Sequence, residues 1–329
     1  MQNKLKSMLK LSIPTLLMGI LFINSINAQK KTQAELLGFD KGKKILILHA
    51  DDAGMSPEAN EATEFYLENG LIQSAAVMMP CPSAEAFLEW TKTHPKTDIG
   101  LHLTLTSEWK TYRWGPVADP VKVPGLIDPS GKLWPEVPDV VMHANAKEIE
   151  IEIRAQIDKS ISFGWNPTHI DSHMGTVFGS PEYTRAYLKV AEEYGIPAMV
   201  IDLSNIEMVN KFRKVGFAVT DEVIEMVDKY KLPKLDDFTA VPKGATYEEV
   251  RENFYKHVIS LDPGITELIF HPAIATQNLK SITHSWRQRS WEAKIFSDPE
   301  VIKFLKDEGI VFTNWIDVMN RFNGRITNE

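Results

Sequence analysis

Four stretches of this chain end in, or carry, side chains able to bind a metal ion or move a proton. Asp51 and Asp52 follow the apolar run Ile45-Leu-Ile-Leu48, His102 lies in Asp98–Thr106, His169, Asp171 and His173 fall in Pro167–His173, and His271 closes Thr266–His271. A single histidine on an apolar stretch is most often a satisfied core residue. Four stretches that deliver imidazoles and carboxylates to one place are a catalytic pattern. Two imidazoles and one carboxylate, with positions left for water, make an open metal site. The Asp51–Asp52 doublet points the same way, because adjacent like charges repel and are costly to bury unless a positive group neutralises them. A metal ion would serve. Taken alone, the doublet reads first as an Asp-rich entry to a helix, which is common; the other three stretches change that ranking.

His169 and His173 compete for one ligand position. On a helix their spacing of four puts both on one face. On a strand they share a face but lie about 13 Å apart, too far for one ion. Pro167 and the β-branched Thr168 and Ile170 favour a strand. His173 is then the candidate ligand, His169 belongs to the core or to a supporting position, and Asp171 is free to orient a ligand imidazole. His49, inside the first run, could support the site or simply pack.

Catalytic groups on several strands need elements that bring the strand ends together. Between the apolar runs the spacing predicts helices over Pro57–Asn69, Ser83–Trp90, Asn145–Phe163, Pro181–Tyr194, Asp221–Lys229 and Thr246 to Ile259, with a last one opening at Asp298-Pro299. Ser74–Met79, Ala198–Ile201 and Ile310–Thr313 read as further strands. Strands alternating with helices imply a parallel sheet, so the fold class is α/β. About seven such units favour a distorted (β/α) barrel of the TIM type, in a single domain, over an open doubly wound sheet. No glycine-rich dinucleotide fingerprint supports the open sheet. In a barrel the catalytic groups gather at the C-terminal strand ends.

Two regions break this rhythm. Residues 203–245 show one legible helix. Residues 109–143 hold Trp109, Tyr112, Trp114 and Trp134 among closely spaced prolines and read as a long irregular loop of functional use. Tryptophan faces suit sugar rings, which makes Trp109 and Trp114 candidate substrate contacts; the alternative is that the tryptophans fasten the loop to the barrel.

The chain has 329 residues with 43% hydrophobic content, enough for a sizeable core. Lys4, Lys6 and Lys10, the apolar run Leu16–Ile23 and the small residues up to Ala28 read as a signal peptide over 1–28. The run is too short to span a bilayer, so no stable membrane anchor is expected, and the protein should be exported to the periplasm or the medium. Residues 29–42 form a lead-in, 43–320 the barrel and 321–329 a tail. The formal charge of −8 becomes −11 once the three leader lysines are gone, which argues against nucleic acid as a partner. The lone Cys81 excludes an internal disulfide and a cysteine-rich zinc site. Oligomeric state is not legible.

Ala50-Asp-Asp-Ala-Gly54, Gly100-Leu-His-Leu-Thr-Leu-Thr106, Pro167–His173 and His271-Pro272, with Arg289 and Glu292 as a weaker fifth block, occur in a telling order and spacing. Together they resemble the YdjC-like family of carbohydrate deacetylases, which includes chitooligosaccharide deacetylases. The resemblance runs from about Lys43 to Asn314, and NodB-type polysaccharide deacetylases are distantly similar. It implies a distorted (β/α) barrel and one divalent ion held by Asp52, His102 and His173. It also implies Asp51 as general base, His271 as general acid and Arg289 as a candidate substrate contact. Two imidazoles suit Zn2+, while a carboxylate with several waters would also admit Mg2+. The implied activity is hydrolytic removal of acetyl groups from an N-acetylated amino sugar or oligosaccharide, by a water that the ion activates. An O-deacetylase or other metal hydrolase, and a secreted carbohydrate-binding protein without catalysis, are the other readings. Three departures stand near the site: Ala53 replaces a usual Phe, Gly175 a common second His, and Ala273 a Gly. None is a proposed ligand, but each can reshape the pocket.

Overall fold

The first apolar run forms β1 (Lys44–Ala53), buried along nearly all its length. A run without polar alternation requires cover on both faces, and a parallel sheet wrapped by helices supplies it. The computed structural model describes residues 30–324; the proposed signal peptide and residues 325–329 of the tail lie outside the described residues. Around β1 stand β2 (Ser74–Val77), β3 (Ile99–Leu103), β4 (Ile170–Ser172), β5 (Asp237–Ala240), β6 (Gly264–Phe270) and β7 (Val311–Phe312). All pairings are parallel, in the order β4-β3-β2-β1-β6-β5, with β7 beside the start of β1.

The sheet curls into a distorted (β/α) barrel. The stretch expected as a strand at 198–201 continues it from β4, through parallel bridges Ile170–Ala198 and Ile201–Leu235. No regular strand forms there because the pairing changes partner midway. Met199 donates its N–H to the Ile170 carbonyl, whereas the Val200 carbonyl accepts from Leu235.

Helices occupy Pro57–Glu68, Ala84–Thr93, Ala146–Ser162, Pro181–Tyr194, Asp221–Lys229, Tyr247–Ser260 and Pro299–Asp307, close to the sequence expectation. Local chemistry explains the agreement. The Ser56 hydroxyl accepts from Ala59 N–H with Pro57 as first helical residue, and Asn145 and Glu148 form a reciprocal capping box. Ile206–Lys214, Gln277–Ile282 and Trp286–Ile295 add helices that the sequence did not announce. β3 ends at Leu103 rather than Thr106. The Gln156 side chain takes over both the N–H and the carbonyl of Thr104, ending the ladder there.

The expected irregular loop is more ordered than its prolines implied. It contains short 3-10 turns at Pro120–Lys122 and Pro124–Leu126 and a helix at Val137–His143. Val123, Leu126, Leu133 and Val140 in it are fully buried.

Beneath the barrel mouth lies a buried polar layer. Trp315 donates its indole N–H to Glu267 on β6, stacks on His169, and donates its backbone N–H to Asp98. Burial pushes the Glu267 carboxyl up to about 8, against the pull of His49. The unfolded chain loses that proton near pH ~4.3. Between about pH 4.3 and 8 the folded state therefore holds more protons, and stability falls as pH rises, by up to about 1.4 kcal/mol per pH unit. Glu267→Gln keeps an acceptor for Trp315 and should remove this slope. Melting temperatures of both proteins across that range test it; parallel curves would count against a neutral Glu267.

Candidate active site

The site is built where β1 breaks its own pattern. In a regular strand Asp51 and Asp52 would face opposite sides. Here the register with β2 shifts between Ala50 and Ala53, and Asp52 adopts a left-handed φ of 64°. A non-glycine residue in that region is held there by its surroundings, typically at functional sites. Gly54, with φ 84°, completes the turn at a point where a Cβ would lie 2.8 Å from Val77 and 2.9 Å from the Ala84 backbone. Both carboxylates consequently approach His102.

Asp52 Oδ1 lies 3.4 Å from His102 Nε2 and 3.4 Å from His173 Nδ1, and the two nitrogens are 3.2 Å apart. Three donors each about 2.0–2.2 Å from one ion would be about 3–3.5 Å from one another. The triangle therefore fits a first-row divalent metal or Mg2+. Asp52 Oδ1 is also buried with no hydrogen-bond partner, an acceptor that a cation in the triangle would satisfy.

The outer atoms of the three residues are each held. His102 Nδ1 lies 2.7 Å from Asp171 Oδ1, His173 Nε2 3.1 Å from Glu108 Oε2, and Arg289 donates to Asp52 Oδ2 at 2.7 Å. These outer contacts point the inner nitrogens, His102 Nε2 and His173 Nδ1, at the triangle. Burial alone would lower His173, but Glu108 and Asp52 outweigh it and lift it to about 10. The surroundings favour positive charge at this point.

The two aspartates are driven apart. For Asp52, burial opposes ionisation, yet Arg289, His173 and His271 hold its carboxyl well below the usual range. For Asp51, burial prevails over His102 and, with Asp171 and Asp52 nearby, holds the carboxyl well above it. The two neighbours thus differ in basicity, Asp51 holding its proton more strongly than Asp52. Asp51 Oδ2 lies 3.7 Å from His271 Nε2, and Asp51 Oδ1 3.3 Å from His49 Nε2. His271 is partly exposed at the mouth, and its backbone N–H donates to Glu292 at 2.6 Å.

The structure thus gathers Asp51, Asp52, His102, His173 and His271, with Asp171 behind His102. His169 stands apart, buried against Trp315 with Nδ1 3.5 Å from Asp98, and Gly100 leaves the room its ring fills. Glu108 and the His49 bridge between Asp51 and Asp171 escaped the sequence reading. The only signal for Glu108 was a carboxylate shortly after the His102 strand. Arg289, read as a substrate contact, is tied to Asp52, which leaves only Nη1, buried without a partner, for a ligand. Trp109 is half-buried, its ring 5.7 Å from the Arg289 guanidinium.

Trp114 requires correction as a substrate contact. It is 3% exposed within the core, with its indole N–H on the Thr106 carbonyl and its backbone N–H on Ser107. A ring packed on all sides cannot stack on a sugar. Trp114→Ala should cost about 3–5 kcal/mol of stability, as core tryptophan truncations do. Thermal melting checks this, and an unchanged melting temperature would return Trp114 to the substrate side.

A cavity of about 310 Å³ opens from Asp51, His102, His173 and His271. Its far walls include Leu203, Phe212, Phe217 and Val219, from the stretch the sequence left illegible, and Val223 and Val227 of the expected helix Asp221–Lys229.

A carbohydrate deacetylase of Thermoanaerobacter pseudethanolicus is 29% identical over 83% of this chain and 98% of its own length. One from Thermus thermophilus is 28% identical over 81% of this chain and 91% of its own. The crystal structure of a candidate cellobiose-phosphate cleavage protein from Enterococcus faecalis superposes with a TM-score of 0.69 at 23% identity, covering 84% of this chain and 99% of that one, which shows a shared fold. The model of the YdjC-like protein family matches residues 45–307. That span holds every side chain of the site from His49 to Glu292, and the chain belongs to the YdjC-like protein family.

Proposed function

We propose that this protein is a metal-dependent hydrolase that removes acetyl groups from an acetylated carbohydrate. The observation that carries the reading is the triangle of Asp52, His102 and His173, flanked by a second, more basic carboxylate and a partly exposed imidazole. The relatives named carbohydrate deacetylase support the sugar. A divalent ion in the triangle, Zn2+ or Mg2+, would polarise the acyl carbonyl and make water more acidic. Asp51 takes the proton of the attacking water. His271, fixed through Glu292, hands a proton to the departing nitrogen or oxygen. Arg289 keeps Asp52 charged and in place, while Asp171 and Glu108 hold the imidazoles. Trp109, beside Arg289, is the aromatic surface open to the sugar. The leader at 1–28 supports export, with action in the periplasm or outside the cell.

Acetate release from N- and O-acetylated oligosaccharides, measured with chelator and after metal return, tests the reading. Release that the chelator abolishes and metal restores is expected. Its absence across the panel would overturn the hydrolase reading.

A further inference from the structure

We propose that the cavity beside the triangle receives an acyl chain several methylenes long, so that the substrates include carbohydrates acylated with medium-length chains. The inference rests on the hydrolase reading above and extends it to the acyl side. A scissile carbonyl carbon carries two substituents, the acyl chain and the leaving sugar. The cavity adjoins Asp51, His102, His173 and His271, so one of the two is placed to enter it.

The walls decide which. Beyond the catalytic end they are Met199, Ile201, Leu203, Phe217, Val223 and Phe238, with similar side chains between them. The walls carry only two hydroxyls, and each already makes a hydrogen bond within the protein: Ser172 accepts from Val177 N–H, and Thr184 donates to the Val177 carbonyl. Sugar hydroxyls placed there would give up water without replacement, which is costly. An alkyl chain gains by the same transfer. Away from these walls, the partly exposed Glu108 and Trp109 offer the sugar a polar and an aromatic surface beside the triangle. Size agrees: an acetyl methyl needs little more than the share of one water, about 30 Å³, whereas the cavity measures about 310 Å³.

The wall is also built rather than incidental. Gly175 has φ 65°, and a Cβ there would stand 2.7 Å from Phe217 Cε1, so the glycine lets that ring close the cavity. Met174, left-handed at φ 53° and 42% exposed, stands at its edge and accepts from the Thr106 hydroxyl. The reaction is ordinary hydrolysis. Water's oxygen bonds to the acyl carbon and the C–N or C–O bond breaks. The amine or alcohol leaves with one proton, the carboxylic acid with the chain.

The test uses the metal-loaded protein and glucosamine acylated with acetyl, butyryl, hexanoyl or octanoyl groups. A second series holds the acetyl group constant and lengthens an alkyl aglycone. We expect kcat/KM to rise about fourfold per methylene along the acyl series until the cavity is full, and to stay flat along the aglycone series. Val223→Phe, which fills the wall, should lower the octanoyl-to-acetyl ratio at least tenfold. Rates that are highest for acetyl and fall with chain length would overturn the proposal and leave the hydrolase reading standing. A rise along the aglycone series instead would overturn it by assigning the cavity to the leaving group. If nothing turns over, the hydrolase reading fails, and binding of the same acyl series to the Asp51→Asn protein decides the cavity. Affinity that grows with chain length would uphold it, and flat affinity would overturn it.

Discussion

Asp51→Asn is expected to lower kcat by about two to four orders of magnitude, the range for loss of a general base, while the protein still takes up its metal. The substitution keeps shape and removes basicity. The reason to expect separation of the two effects is the geometry of the doublet. Asp52 Oδ1 completes the triangle at 3.4 Å from both imidazoles, whereas the nearer Asp51 oxygen is 3.9 Å from His102 Nε2. Asp51 faces the open side, toward His271. Single-turnover acetate release and metal content of the same sample are the measurements. Loss of metal with Asp51→Asn would exchange the roles of the two aspartates.

His102→Ala is expected to abolish activity by a different route, through the metal. Outer partners of a ligand imidazole alone are worth about ten- to a hundredfold in metal affinity, so removal of the ligand itself should cost more than a hundredfold. It also strips Asp171 of its 2.7 Å partner, leaving a buried carboxylate supported by His49 alone at 3.1 Å. Some loss of stability should accompany it, and circular dichroism separates that loss from metal depletion. Metal content after reloading and dialysis is the decisive reading; equal stoichiometry in variant and parent would remove His102 from the ligand set.

The local parts of this architecture were legible in the sequence because local physics makes them. The apolar run Ile45–Leu48 became the start of β1, and Ser56-Pro57 and Asn145 with Glu148 opened helices. The donors themselves could be named, since few residue types bind metals or move protons. The extent of irregular pieces was not legible. Trp114 looks like a sugar contact in sequence and is a core residue in space, because burial depends on what folds over it. Residues 203–245 showed one legible helix, Asp221–Lys229, and the use of their apolar side chains as walls of a cavity appears only in the fold.

The tertiary structure alone gives the two aspartates different surroundings. Asp51 and Asp52 are chemically identical neighbours, and no residue within several positions distinguishes them. Their difference arises from a register shift in β1, a left-handed backbone at Asp52, and Arg289, 237 residues away, which reaches one carboxylate and not the other. Glu108 likewise became a partner of His173 only when the ends of β3 and β4 met. Sequence determines which groups are present and which segments carry them. The electrostatic surroundings that split one carboxylate from the next are made of long-range contacts, and those exist only once the barrel has closed.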